Sequence, residues 1–266
     1  MNLLVVASSS GDGGFHGPTI GEFFPPAVFF VGTPFAISRI VFVRLIAVLA
    51  LILLVWLGTR RMKVVPGRFQ SIVEMGFGFV RVNIAEDVLG KKDARRFLPV
   101  LTAIFFMVLA MNVTSIIPGL SIAGTSLIGV PLILAVIAYV SFIYAGVRKS
   151  PKGFFTNALF PPGVPKGLYV IVAPLELIST FILRPITLTL RLLMNMVVGH
   201  LLLVLFFAAT SFFLLQAPSF FKLFGIGTLV FGLIFTLFEL LVIFLQSYIF
   251  ALLTAVYIQL AVAEEH

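Results

Sequence analysis

The chain has 266 residues, 61% of them hydrophobic and 11% charged, with a formal net charge of +8 and no cysteine. A soluble domain is nearer half apolar and a quarter charged, so the composition excludes an ordinary soluble fold and places the chain in lipid. The missing cysteine excludes disulfides and thiolate metal sites. The basic residues flank apolar runs, which makes them topology signals and headgroup contacts rather than a nucleic-acid surface.

Residues 1–36 are rich in Gly and Pro (GDGGFHGPTIGEFFPPAVFFVGTP) and read as an irregular segment outside the membrane. The opening MNLLVVASSS has no basic stretch before its short apolar run and makes a poor signal peptide. A first span is predicted over 37–57, closed by Arg60, Arg61 and Lys63. Over 68–97, Phe69, Val73, Phe77, Val80, Ile84 and Val88 recur every three or four residues. Arg68, Glu74, Arg81, Glu86 and Asp87 fall around that stripe, the pattern of an amphipathic helix lying along the membrane surface.

A helical hairpin is predicted over 97–147, its two spans joined by an uncharged turn near 118–126. Arg148, Lys149, Lys152 and Lys166 follow in a Pro/Gly-rich loop. Residues 168–263 hold two apolar stretches, each roughly double the ~20 residues that cross a bilayer. Hydropathy alone leaves each open as two upright helices or one tilted helix, hence five to seven crossings. The preferred expectation is an all-α membrane protein with five transmembrane helices and one amphipathic surface helix, the last two spans long and tilted. Lys and Arg concentrate after the first and third spans, which puts those loops in the cytoplasm, the N-terminus outside, and Glu264, Glu265 and His266 inside. No internal repeat is visible, which weighs against an inverted-repeat transporter.

Glu176, Arg184, Arg191, His200 and Glu239 lie inside the two long stretches. Charge at membrane depth costs several kcal/mol, so such residues are functional candidates by default. For Arg184, beside Pro185, a structural or snorkelling role weighs as heavily. At 100° per residue, Arg184, Arg191 and Asn195 share a helix face, while His200, nine beyond Arg191, lies half a turn away. Glu239, Gln246 and Tyr257, seven and eleven apart, form a polar stripe on an otherwise apolar helix. Gln246 or Tyr257 alone could be a satisfied interhelical hydrogen bond. There is no phosphate-binding Gly-rich loop and no metal-ligand pattern. Ser179 and Ser247 have no nearby His to act with, which leaves no nucleophile and base. Buried Asp, Glu and His suit proton relay. Arginine cannot give up its proton and suits a fixed positive gate. The pattern is a transport path with no cofactor.

The run PITLTLRLLMNMVVGHLLL (185–203) resembles the fifth-helix signature of subunit a of bacterial F-type ATP synthases, and LELLVIFLQSYIFALLTAVYIQLA (237–260) resembles that family's last helix. GEFFPP and VPGRFQSIVE also resemble bacterial members. The resemblance implies five crossings, with two long tilted helices against a rotating ring of c subunits. It makes Arg191 similar to the family's essential arginine and Asn195 to the Asn one turn on. His200 falls where the family places an ionisable group, Glu239 where some bacterial members carry His, and Gln246 on the Gln seven residues later. It likens Tyr257 to a Tyr near the inner end, Glu176 to the acidic residue of an inner half-channel, and Thr187 to a position where Ser can stand.

The implied function is a non-catalytic, proton-translocating stator subunit. Two offset half-channels would load and unload protons on the c-ring and so couple proton flow to ATP synthesis. The implied partners are the c-ring, the b subunits of the peripheral stalk, the rest of the complex and the bilayer. The implied location is the bacterial plasma membrane, with an organellar inner membrane as the alternative. Arg191 is expected to be the only fully buried cation without a carboxylate partner in its own chain. The rival reading is a stand-alone proton-coupled transporter or channel, which needs a substrate cavity and usually a repeat.

Overall fold

The computed structural model describes residues 27–29, 37–60, 62–117, 120, 122–150, 153–154, 169–216 and 218–262. Most of the expected external segment 1–36, Lys152 and Lys166 of the basic loop, and the C-terminal Glu264, Glu265 and His266 lie outside the described residues. A two-stranded antiparallel ladder, β1 (Ala27–Phe29) with β2 (Ile37–Ser38), leads into the helices.

Five helical stretches are long and apolar enough to cross a membrane. Helix α1 covers Arg39–Thr59. The surface stripe forms α2 (Arg68–Val80), which runs through a π-helical segment (Arg81–Glu86) into α3 (Asp87–Val113). The predicted boundary at residue 97 is replaced by a kink at Gly90, whose φ of 72° lies in the left-handed region that glycine enters without steric cost. The basic residues Lys91, Lys92, Arg95 and Arg96 therefore open the helix that follows the kink. Val73, Val80, Ile84 and Ala85 bury the apolar stripe, while Glu74 and Arg81 stay exposed. Arg81 Nε and Glu86 Oε1 form an ion pair at 2.7 Å on the outer side.

Helix α4 covers Gly129–Lys149. Helix α5 (Tyr169–Ile178) continues through a second π segment (Ser179–Leu183) into α6 (Arg184–Leu215). Pro185 sits two residues beyond that segment. It cannot donate to the carbonyl four residues back and its ring crowds that carbonyl, and the wider turn accommodates both. Helix α7 runs unbroken over the 41 residues of Lys222–Val262. At ~1.5 Å per residue it is about 60 Å long, twice the ~30 Å hydrocarbon thickness. It cannot stand upright within that slab.

The core is layered along α7. At one end Val80, Ile84, Phe97, Leu101 and Phe105 pack on Ala251, Ala255 and Ile258. In the middle Val108, Leu134 and Ala138 meet Leu188, Leu192 and Phe250. Near the midpoint of α7, Ala123, Met196 and Ile243 close together. Large apolar side chains elsewhere on α1 (Leu45, Leu49, Ile52) and α7 (Phe231, Leu237, Leu241) point outward, as required of surfaces that meet lipid or another apolar subunit.

Candidate functional site

Glu239 is only 2% exposed. Its Oε1 accepts a hydrogen bond from Ser115 Oγ at 3.2 Å, and its Oε2 is buried without a hydrogen-bond partner. Helix α6 passes this carboxylate at a glycine. A Cβ on Gly199 would lie 3.1 Å from Glu239 Oε1, so no larger residue fits there without moving the carboxylate. His200, next in sequence, is buried at the same level. Glu239 thus meets α6 at the glycine immediately before His200.

The turn between α3 and α4 completes this end of the site. The sequence marks it only as uncharged, but folded it is dense with polar groups. Asn112 is wholly buried. Its Oδ1 accepts from Thr125 Oγ1 at 2.5 Å, and its main-chain oxygen accepts from Ser115 Oγ at 2.9 Å. Thr114 Oγ1 donates to the Ile122 carbonyl at 3.0 Å. Helix α1 clasps the turn through two arginines. Arg44 Nε donates to the Gly124 carbonyl at 2.8 Å, and Arg39 Nη2 to the Leu120 carbonyl at 3.2 Å. Arg44 Nη2, Asn112 Nδ2 and Glu239 Oε2 are all buried polar atoms without protein partners. They come from three helices, α1, α3 and α7, and Arg44 and Glu239 both bond to residues of the 112–126 segment.

Arg39, Arg44, Asn112, Ser115 and Thr125 were not among the candidates drawn from sequence. Arg44 carries the same signal as Arg191, an ionisable side chain inside an apolar run. Asn112 and Ser115, three residues apart, share a helix face. Thr125 reaches Asn112 only through the fold.

Seven residues along α7, Gln246 is equally buried. Its Oε1 accepts from Asn195 Nδ2 at 2.6 Å, and its Nε2 is left without a partner. Asn195 stands one turn beyond Arg191. The expectation that Arg191 is buried within this chain is not met. It is exposed on a face of α6 that includes Ile186, Leu190, Met194 and Val198. The reason is geometric: α4 and α7 cover the other faces of α6, and no described element of this chain covers this one. Among the described residues the first span carries two partly buried cations, Arg39 and Arg44, each of which donates to a carbonyl of the 120–124 turn. The half-turn between Arg191 and His200 does divide them, one outward and one inward.

Toward the other end of α7, Tyr257 is half-buried beneath Arg184, whose guanidinium carbon lies 5.3 Å from the Tyr257 ring centre and 5.8 Å from that of Phe142. Arg184 is therefore held by two aromatic faces. Glu176 is half-exposed on α5. The Thr187 hydroxyl is exposed and donates to the carbonyls of Leu183 and Arg184 in its own helical run. Glu239 and Tyr257, 18 positions apart on α7, are separated by about 27 Å along the axis. The Asn195–Gln246 pair and Arg191 lie between them. Among the described residues no group of three or more His, Asp or Glu could hold a metal ion.

The sequence that builds this site has relatives. The family described as ATP synthase A chain matches residues 41–259. The chain is 48% identical over 256 residues to "ATP synthase subunit a" of Rhodococcus erythropolis, covering 95% of this chain and 92% of the relative. It is 40% identical to the protein of the same name from Frankia alni, over 96% of this chain and 89% of the relative. With that of Pseudarthrobacter chlorophenolicus it shares 33% identity, over 99% of each. With its five long apolar helices and a family match over most of its length, the chain belongs to the ATP synthase A chain family.

Proposed function

We propose that the two polar regions on α7 are the two ends of a divided proton path, with Arg191 as the charge between them. As a family member the chain is a proton-translocating, non-catalytic component of a bacterial ATP synthase membrane sector. The finer reading concerns which residues do what.

Protons enter from outside through the region of Glu239, His200 and the 112–126 turn, with Arg44 holding that turn in shape. They pass by Asn195 and Gln246 to a carboxylate on a ring of c subunits, which lies against the open face of α6. Neutralised, that carboxylate rotates away into lipid. After a revolution it returns beside the second region, near Glu176, Thr187 and Tyr257, and releases its proton toward the cytoplasm. Arg191 enforces the separation. At ~4 Å and an effective dielectric of ~20, its attraction for the ring carboxylate is about 4 kcal/mol, or roughly three pKa units of bias toward the ionised form. The b subunits of the peripheral stalk hold this chain still while the ring turns. The N-terminus lies outside and the basic loops inside, in keeping with the distribution of Lys and Arg.

The observation that carries this reading is the outward Arg191, set in an apolar face and backed by buried polar residues of its own chain. A stand-alone transporter would turn such a charge toward an internal cavity. The test is proton flux through vesicles containing the complex with its ring locked by a crosslink. The wild type is expected to be tight, and Arg191→Ala to leak. Tightness in both would remove Arg191 from the barrier.

A further inference from the structure

At the basic end of α4, Val140, Ile143, Tyr144 and Val147 line a surface cavity of about 380 Å³ that ends at Arg148. Their spacing of three and four places them along one stripe of the helix. Val140, Tyr144 and Val147 are exposed although Ala138, Phe142 and Ala145 of the same helix are buried, so this stripe faces away from the core. At its end two guanidiniums converge on one oxygen. Arg148 Nη1 donates to Tyr144 Oη at 2.8 Å, and Arg96 Nη2, from α3, donates to the same atom. The Arg96 guanidinium also lies 4.9 Å from the Tyr144 ring centre. Among the described residues neither arginine has a carboxylate within 4 Å, the recorded ion pair being Arg81–Glu86.

Two like charges drawn to one neutral phenol repel each other, and each guanidinium has five N–H groups of which one is spent on Tyr144. What is missing is an anion. Guanidinium pairs suit phosphate oxygens, to which they can donate in parallel. The arginines lie at the end of a membrane-spanning helix, the level where headgroups sit, and the cavity below them is apolar. We infer that Arg96, Arg148 and Tyr144 bind the phosphate of an anionic phospholipid whose acyl chain lies along Val140, Ile143 and Val147. A zwitterionic lipid fits less well, because among the described residues no carboxylate stands within 4 Å of either guanidinium to receive its ammonium group. The negative end of α4 would repel a phosphate placed on the helix axis. Arg148 and Lys149 in the last turn offset that, and the site lies on the flank. The inference rests on the membrane span and not on the proton path.

The test uses the intact complex, purified in mild detergent from a native membrane, with bound lipid measured by mass spectrometry and located in a high-resolution map. A phosphate density between Arg96 and Arg148, with an acyl density in the groove, is expected. Arg96→Gln with Arg148→Gln should lower retained anionic phospholipid about tenfold, as loss of charge-assisted hydrogen bonds does. Val140→Trp, which leaves both charges in place and fills the groove, should lower it as well, and so reads the site even if the double variant fails to assemble. Excess inorganic phosphate should leave the lipid bound. Four results would overturn the proposal: equal retention in all variants, equal retention of anionic and zwitterionic lipid, displacement by phosphate alone, or a protein helix lying in the groove.

Discussion

Asn195 on α6 donates a 2.6 Å hydrogen bond to Gln246 on α7, one turn from the outward Arg191. This bond crosses the pair of long helices at a level between Glu239 and Tyr257 on α7. It fixes the rotation of α6 against α7, and so the direction in which Arg191 points. Asn195→Leu should cost ~1–3 kcal/mol, because it leaves a buried Gln246 with neither end satisfied. Asn195→Leu with Gln246→Leu should be the more stable of the two variants. Thermal dissociation of the purified complex reads the difference, and a double variant weaker than the single would mean that the bond does not set the packing.

Replacing Arg191 should separate sealing from loading. Arg191→Ala is expected to abolish proton-driven ATP synthesis. Arg191→Lys should restore little, since an ammonium that loses its water can also lose its proton, which a guanidinium does not. Synthesis at the wild-type rate in inverted vesicles carrying the alanine variant would refute the assignment.

Glu239→Gln should show the opposite pattern to Arg191→Ala. The carboxylate is buried beside Ser115 and Gly199 and does not stand on the open face of α6 that carries Arg191. Its loss should slow coupled synthesis at least tenfold, a barrier change of roughly 1.4 kcal/mol, while the ring-locked membrane stays tight. Equal leak from both variants would mean that the two regions are one continuous channel.

Gly199 offers a steric test of the same place. With Glu239 Oε1 3.1 Å from the position of an added Cβ, Gly199→Ala should displace the carboxylate by a few tenths of an ångström and reduce synthesis modestly. Gly199→Val, stiff and branched, should come close to the effect of Glu239→Gln. A valine variant as active as the alanine variant would show that the carboxylate's position is not critical.

Arg44 is the test of the turn. Arg44→Gln removes one of the two positive charges at the start of the first span and weakens the clasp on Gly124. It should lower proton-driven synthesis several-fold without leak, because the proposed path places the residue on the entry side of Arg191. Unchanged synthesis would exclude the 112–126 turn from the path.

The sequence by itself determined that the chain spans a membrane as helices, since hydropathy depends only on the order of residues and every backbone amide in lipid needs an internal partner. It also singled out Glu239, Gln246, Arg191 and His200, because charge or amide in an apolar run is visible without any fold. The surface stripe at 68–97 was legible from its period, but its junction with the next span was not. The charges at 91–96 mark the interface, whereas the break falls at Gly90, where one backbone angle is permitted. Only the tertiary structure decided which side of each helix is covered. Arg191 reads as buried from sequence and stands open, because its face of α6 receives no described helix of its own chain. Asn112, Ser115 and Thr125 read as an ordinary turn and form a polar enclosure with Arg44 and Glu239, because groups far apart in sequence meet there. Hydropathy sums over neighbours along the chain, and burial is set by neighbours in space.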